Sequence, residues 1–123
     1  MAKVLVIDDD DMIREVVRRA LERAGHQVLE AAEGSEGLGR LKGDAVDLMI
    51  VDVMMPKKGG IETLMELRNH RPAMKTIVIT GKVDTASASF KNLIHAFGVK
   101  RVFQKPLDLE ELTCAVEGLL AEG

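Results

Sequence analysis

Two stretches of the chain are apolar without alternation: Val4-Leu-Val-Ile7, which follows Lys3, and Leu48-Met-Ile-Val51. Runs of this kind suit strands buried on both faces of a parallel sheet. Each run stops on acid, the first on Asp8-Asp9-Asp10-Asp11 and the second on Asp52. After the first, the period changes: Ile13, Val16, Val17, Ala20, Leu21 and Ala24 recur at helical spacing, and Gly25 closes the helix. Gln27–Ala31 is short and flanked by polar residues, as an edge strand is. Gly34 to Lys42 carries Leu38 and Leu41 on a weak helix interrupted by Gly37 and Gly39. Beyond Pro56 and the Lys57-Lys58-Gly59-Gly60 loop, a helix turns Ile61, Leu64, Met65 and Leu67 inward and ends at Pro72. Met74–Ile79 reads as the fourth strand, ending on Thr80-Gly81. A helix from about Asp84 to Phe97 buries Ala86, Phe90, Leu93, Ile94 and Phe97 and stops at Gly98. The fifth strand, Val99 to Gln104, ends on Lys105-Pro106. Asp108-Leu-Glu-Glu111 then opens the last helix with a capping box, and Leu109, Leu112, Val116, Leu119 and Leu120 form its apolar face.

Five strands alternating with five helices predict one α/β domain, residues 1–123, with a single parallel sheet covered on both faces. A length of 123 residues is enough for a core without staples. The composition narrows the function. A net charge of −3 gives no support to phosphate-backbone binding, and three Phe with no Trp or Tyr argue against base stacking, so no nucleic-acid partner is expected. One cysteine, Cys114, leaves no disulfide framework or thiolate metal cluster, and its place in the last helix suggests packing. His26, His70 and His95 lack metal-ligand spacing and read as surface or helix-end residues. Asp10 and Asp11 suit the start of a helix, where the macrodipole favours acid. No stretch is long and apolar enough to span a membrane, and Met1-Ala-Lys3 leads directly into a strand, so a cytoplasmic location is the expectation.

The chemistry lies where the strands end. In a parallel sheet all carboxyl ends share one edge, which is where open α/β sheets place their ligands. That edge collects Asp8 and Asp9 from the first strand, Asp52 from the third, Thr80 from the fourth and Lys105 from the fifth. Three converging carboxylates repel unless a cation sits among them. Oxygen-only ligands with room for water describe a Mg²⁺ site rather than a zinc site. A carboxylate beside a metal, an ammonium and a hydroxyl can accept a phosphoryl group, whose equatorial oxygens those groups would meet.

Asp8-Asp9, Asp52 followed by Met55-Pro56, Thr80 and Lys105-Pro106, in this order and on these strand ends, resemble the receiver domain of two-component response regulators. The resemblance runs from Lys3 to about Ala121. It implies a flavodoxin-like sheet of order 2-1-3-4-5, with the more polar second and fifth strands at the edges. It implies that Asp52 is the phosphoacceptor and that Asp9 and Asp52 bind Mg²⁺ directly. The backbone carbonyl of Met54 would be the third protein ligand, with Asp8 acting mainly through water. Lys105 would pair with the phosphoryl group or with Asp52, and Thr80 would hydrogen-bond a phosphoryl oxygen. The implied partners are a histidine kinase or histidine phosphotransfer protein and a downstream protein on the face of the fourth helix, fifth strand and fifth helix. Such a chain is a signalling switch rather than an enzyme acting on another substrate.

The chain departs from the family pattern at Gly59, where Asp is common, and at Gly81, where Ala is. Val102 stands where an aromatic ring usually does, and Phe103, one residue on, points to the opposite face. Two other functions compete. A Mg²⁺-dependent phosphohydrolase would also use an Asp nucleophile, but those compared carry a second acid two residues later, where this chain has Met54, and a substrate-covering cap. A degenerate receiver acting only as a scaffold would lack site residues, and here each is present.

Overall fold

The computed structural model describes residues 2–53, 60–81 and 88–122. In chain order the elements are β1 (Lys3–Ile7), α1 (Asp11–Arg23), β2 (Gln27–Ala31), α2 (Gly34–Gly43), β3 (Leu48–Asp52), α3 (Gly60–His70), β4 (Lys75–Thr80), α4 (Ala88–Ala96), β5 (Arg101–Gln104) and α5 (Leu109–Ala121). The strands form one sheet in the order β2-β1-β3-β4-β5, every neighbouring pair parallel. The unbroken apolar runs are the sheet's centre: Val4 to Ile7 and Leu48 to Val51 are wholly buried. The edge strands β2 and β5 keep partly exposed positions, as their polar residues require.

Side chains alternate across the sheet, so each central strand feeds two cores. Val4, Val6, Leu48, Ile50, Ile77, Ile79 and Phe103 pack with Val17 and Leu21 of α1 and with Leu112, Ala115, Val116 and Leu119 of α5. Leu5, Ile7, Met49, Val51 and Val78 pack instead with Leu41 of α2 and with Leu64 and Leu67 of α3. Ile94 of α4, together with Phe97 and Val102, closes this second core. Two helices on one face and three on the other hold both sides of the sheet away from water.

Helix starts follow local chemistry. Asp10 caps α1, its carboxylate accepting from the backbone N–H groups of Met12 (2.9 Å) and Ile13 (3.3 Å). Asp108 caps α5 by accepting from the N–H of Glu111 at 3.1 Å. Gly25 and Gly98 take positive φ, +95° and +63°, just after α1 and α4, where a side chain would be strained.

Several expectations change. The helix expected to be broken at Gly37 and Gly39 is continuous from Gly34 to Gly43, and two of its glycines, Gly34 and Gly37, face close neighbours. A Cβ on Gly37 would lie 2.5 Å from Cδ1 of buried Ile7, and one on Gly34 would lie 2.5 Å from Oγ1 and 3.0 Å from Cβ of Thr63. Met65 is 46% exposed rather than inward, while Leu64 and Leu67 are wholly buried. Ala24 and Cys114 are exposed, so Cys114 is not a packing residue. β5 begins at Arg101 rather than Val99. The expected start of the fourth helix near Asp84, Ala86, and the side chains of Ile61, Phe90 and Leu93 lie outside the described residues and side chains.

The glycine contacts make opposite predictions within one helix. Gly34→Ala should destabilise the fold by about 1–3 kcal/mol, since buried, β-branched Thr63 cannot swing aside. Gly39→Ala, with nothing within 4 Å of its Cβ, should stabilise it by roughly 0.5–1 kcal/mol. Urea denaturation of the two variants checks both signs.

Candidate functional site

The parallel ladder continues one residue past β1, β3 and β5 and so fixes the site's frame. Asp8 N–H donates to the Ala31 carbonyl (3.1 Å), Val53 N–H to Ile79 (3.1 Å) and Lys105 N–H to Thr80 (2.9 Å). Ile7 pairs with Val51, so Asp8 and Asp52 lie side by side on neighbouring central strands with the same side-chain parity. Both are buried, Asp8 fully and Asp52 with 2% exposed, while Asp9 is exposed.

Lys105 joins the two buried acids. Its Nζ donates to Oδ2 of Asp52 at 3.1 Å and lies 3.2 Å from Oδ2 of Asp8. The Asp8 contact is an ion pair without hydrogen-bond alignment, and Asp8 Oδ2 is left with no hydrogen-bond partner. The other oxygen, Oδ1, accepts from the Asp10 N–H at 2.9 Å. Carboxylate oxygens of Asp8, Asp9 and Asp52 come within 4.8 Å of one another. Three carboxylates and one ammonium, when ionised, leave two negative charges in this space, which a divalent cation balances. The all-oxygen donor set and the orphaned Asp8 oxygen fit a hard cation such as Mg²⁺. The Lys105–Pro106 peptide is cis.

The site shifts its own titration. Burial is the largest cause raising the Asp8 carboxyl, and the nearby Asp52 charge adds to it. The Asp10 N–H and Lys105 pull the other way, and the result is a pKa pushed up from 3.8 to about 6. Burial opposes the charge on Lys105, but the hydrogen bond to Asp52 and the two carboxylate charges outweigh it and hold the ammonium above its usual value.

The structure thus brings together Asp8, Asp9, Asp52 and Lys105. Thr80 ends β4 wholly buried, and its Oγ1 has no hydrogen-bond partner. Val78 packs in the second core and Ile79 in the first, so alternation turns Thr80 toward the second-core side of the sheet. Met54 lies outside the described residues. Among the histidines, His70 and His95 are exposed, but His26 is largely buried and its Nε2 contacts Oε1 of Glu117 at 2.8 Å. The sequence reading missed Arg14, whose Nη1 donates to the backbone carbonyl of Asp8 at 2.7 Å. Its only signal in the sequence is its place three residues after Asp11, which its Nη2 contacts at 2.6 Å.

A parallel 2-1-3-4-5 sheet with an acidic, lysine-bridged pocket at its carboxyl edge defines a flavodoxin-like α/β domain. The family model for the response regulator receiver domain matches residues 4–117, and the chain belongs to that family. It is a signalling domain of two-component systems, a family that binds Mg²⁺ at an acidic site. It is 35% identical over 118 residues to the response regulator MprA of Mycobacterium avium, an alignment covering 96% of this chain and 50% of that protein. The chain spans about half the length of the curated relatives it matches. A CheY-like response regulator receiver domain protein from Methanospirillum hungatei superposes with a TM-score of 0.89 at 29% identity, covering 99% of this chain and 95% of that one. The response regulator protein TrrA from Thermotoga maritima, solved in complex with Mg²⁺-BeF, superposes with a TM-score of 0.80 at 28% identity, covering 97% and 99%.

The raised Asp8 carboxyl has a consequence for stability. A group whose folded pKa exceeds its unfolded value contributes stability that is present below about pH 4 and lost as pH rises through about 6. Metal-free Asp8→Asn should therefore be more stable than the parent at pH 8, by about 1–3 kcal/mol. The gain should vanish near pH 4. Denaturant melts in chelator across that range check it, and a gain independent of pH would contradict the assignment.

Proposed function

We propose that Asp52 accepts a phosphoryl group from a histidine kinase or histidine phosphotransfer protein, and that the chain, residues 1–123, relays this state by protein contact. The observation carrying the reading is Lys105 Nζ standing between the buried carboxylates of Asp8 and Asp52 with Asp9 alongside. A buried like-charge pair is costly, and a site retaining one is built to hold further charge. Asp8, Asp9, Asp52 and the Met54 carbonyl would hold Mg²⁺, with Asp8 acting through water. When bound, the ion would offset charge on the transferring phosphoryl oxygens.

The chain's own groups do the rest. An oxygen of Asp52 attacks phosphorus while the bond from phosphorus to the donor's imidazole nitrogen breaks, and the nitrogen leaves with the electron pair. The product is an acyl phosphate on Asp52. Lys105 Nζ, already 3.1 Å from Asp52, turns its charge to the new phosphoryl oxygens. The unpaired Thr80 hydroxyl donates to another. Attack of water on phosphorus breaks its bond to the Asp52 oxygen, releases inorganic phosphate and restores the carboxylate, so the chain catalyses only its own modification and its reversal. That TrrA was solved in complex with Mg²⁺-BeF supports the reading of a Mg²⁺ site here. A cytoplasmic location fits such a partner, and among the described residues no helix is long and apolar enough to cross a membrane.

The output face is proposed to be α4, β5 and α5. Val102, half-buried with Ile94 and Phe97, is short and stiff at χ1 and has no ring to move. Phe103 is buried in the opposite core, with the Arg101 guanidinium 5.0 Å above its ring. Switching therefore passes through Thr80, Lys105 and the segment after Gly81 rather than through an aromatic side chain.

A small acyl phosphate with Mg²⁺ should label the chain once, at Asp52, with hydroxylamine-labile chemistry, and Asp52→Asn should abolish the label. Mass spectrometry showing label retained in the variant, or an acid-labile adduct on a histidine, would refute the reading. Phosphorylation should move NMR amide signals at Gly81 and in α4 while leaving the Phe103 ring in place. Thr80→Ala should uncouple that response and Val102→Ala should largely preserve it.

A further inference from the structure

Asp8 and Asp9 are held very differently. Asp8 is held by hydrogen bonds from its N–H to Ala31 and from the Asp10 N–H to its Oδ1, with Lys105 Nζ 3.2 Å from Oδ2. Asp9 is exposed, and no hydrogen bond fixes its carboxylate among the described residues. Its direction is therefore set by the backbone, and above all by the plane of the Asp8–Asp9 peptide. The carbonyl of that peptide accepts from Arg14 Nη1 at 2.7 Å. Arg14 is itself splinted: Nη2 donates to Asp11 at 2.6 Å, Nε to Glu30 at 3.4 Å, and only 15% of its side chain is exposed.

We propose that Arg14 is a positioning residue for the cation site: its guanidinium pins the Asp8 carbonyl and thereby aims Asp9. The proposal rests on the receiver reading above. Removing Arg14 would strand one group only. Asp11 is 88% exposed and turns to water, and Glu30 keeps Arg18 Nε at 3.3 Å from Oε2. The carbonyl of Asp8 belongs to a wholly buried residue and would lose its donor. A buried orphan carbonyl is expensive, so the peptide would turn to find another partner. Asp9 would turn with it.

The sign of the effect separates positioning from simple charge. Deleting a cation beside an acidic cluster should, by Coulomb's law, strengthen divalent-cation binding. Loss of positioning should weaken it, by roughly tenfold, as loss of an outer-shell partner to metal ligands does. Magnesium chloride is titrated by calorimetry into the parent, Arg14→Met, Arg14→Lys and Glu30→Gln. Arg14→Met should bind roughly tenfold more weakly, Arg14→Lys should recover most of the affinity through its single ammonium, and Glu30→Gln should bind like the parent. Acyl phosphate labelling of Arg14→Met should need more Mg²⁺ yet reach the parent's rate at saturation, a split that general damage to the fold would not produce. Equal or tighter Mg²⁺ binding by folded Arg14→Met overturns the proposal. If Arg14→Met does not fold, neutral Arg14→Gln is read by the same criterion. Absence of Mg²⁺ binding by the parent would overturn the receiver-site reading itself, which keeps the two failures apart.

Discussion

Two carboxylates buried side by side are the constraint from which the rest of this structure follows. Asp8 and Asp52 occupy adjacent central strands with almost no exposure. Burial and the nearby charge of Asp52 both work against the ionisation of Asp8, which is why its carboxyl rises to about 6. Lys105 supplies one positive charge from the end of β5, two places from β3 and three from β1 in the sheet, and one charge cannot balance three acids. The site is therefore strained electrostatically unless a further cation joins it. A chain that only needed to be stable would place apolar residues there.

The scaffold supplies what the site costs. Two apolar cores, one on each sheet face, hold the strands in register, and register alone decides that Asp8 meets Asp52 and not a neighbour. Each site residue lies at a strand end or one to two residues beyond it, where ladder hydrogen bonds still fix the backbone but no strand pairing occupies the side chain. Gly34 and Gly37 let α2 press against Thr63 and Ile7, which fixes the helix layer on the side toward which Thr80 is turned. Rigidity at the site thus comes from contacts made well away from it.

The β5 edge shows how one residue of offset changes a side chain's surroundings. Val102 and Phe103 are neighbours in sequence yet contribute to different cores. Val102 lies part-buried beside Ile94 and Phe97 in the core on the α4 side. The Phe103 ring is enclosed under α5 and stacked by Arg101, so it serves stability.

The sequence by itself determined the alternating elements, the parallel sheet and the acids at its carboxyl edge. Those features rest on periodicity and on short-range chemistry, such as Asp10 and Asp108 capping the helices that begin just after them. The family resemblance added the strand order. Only the tertiary structure decided which acids are buried. Asp8 and Asp9 are adjacent and identical in type, yet one is sealed between strands and the other exposed, because side-chain parity sends them to different surroundings. It also decided that Met65 and Cys114 face outward, since an apolar stripe has a width that composition cannot fix. The helix that looked broken by glycines is whole, and the close neighbours of Gly34 and Gly37, Thr63 and Ile7, are distant in sequence. Arg14 was invisible for a different reason: a guanidinium bonding a backbone carbonyl, here six residues back, leaves no residue-type pattern.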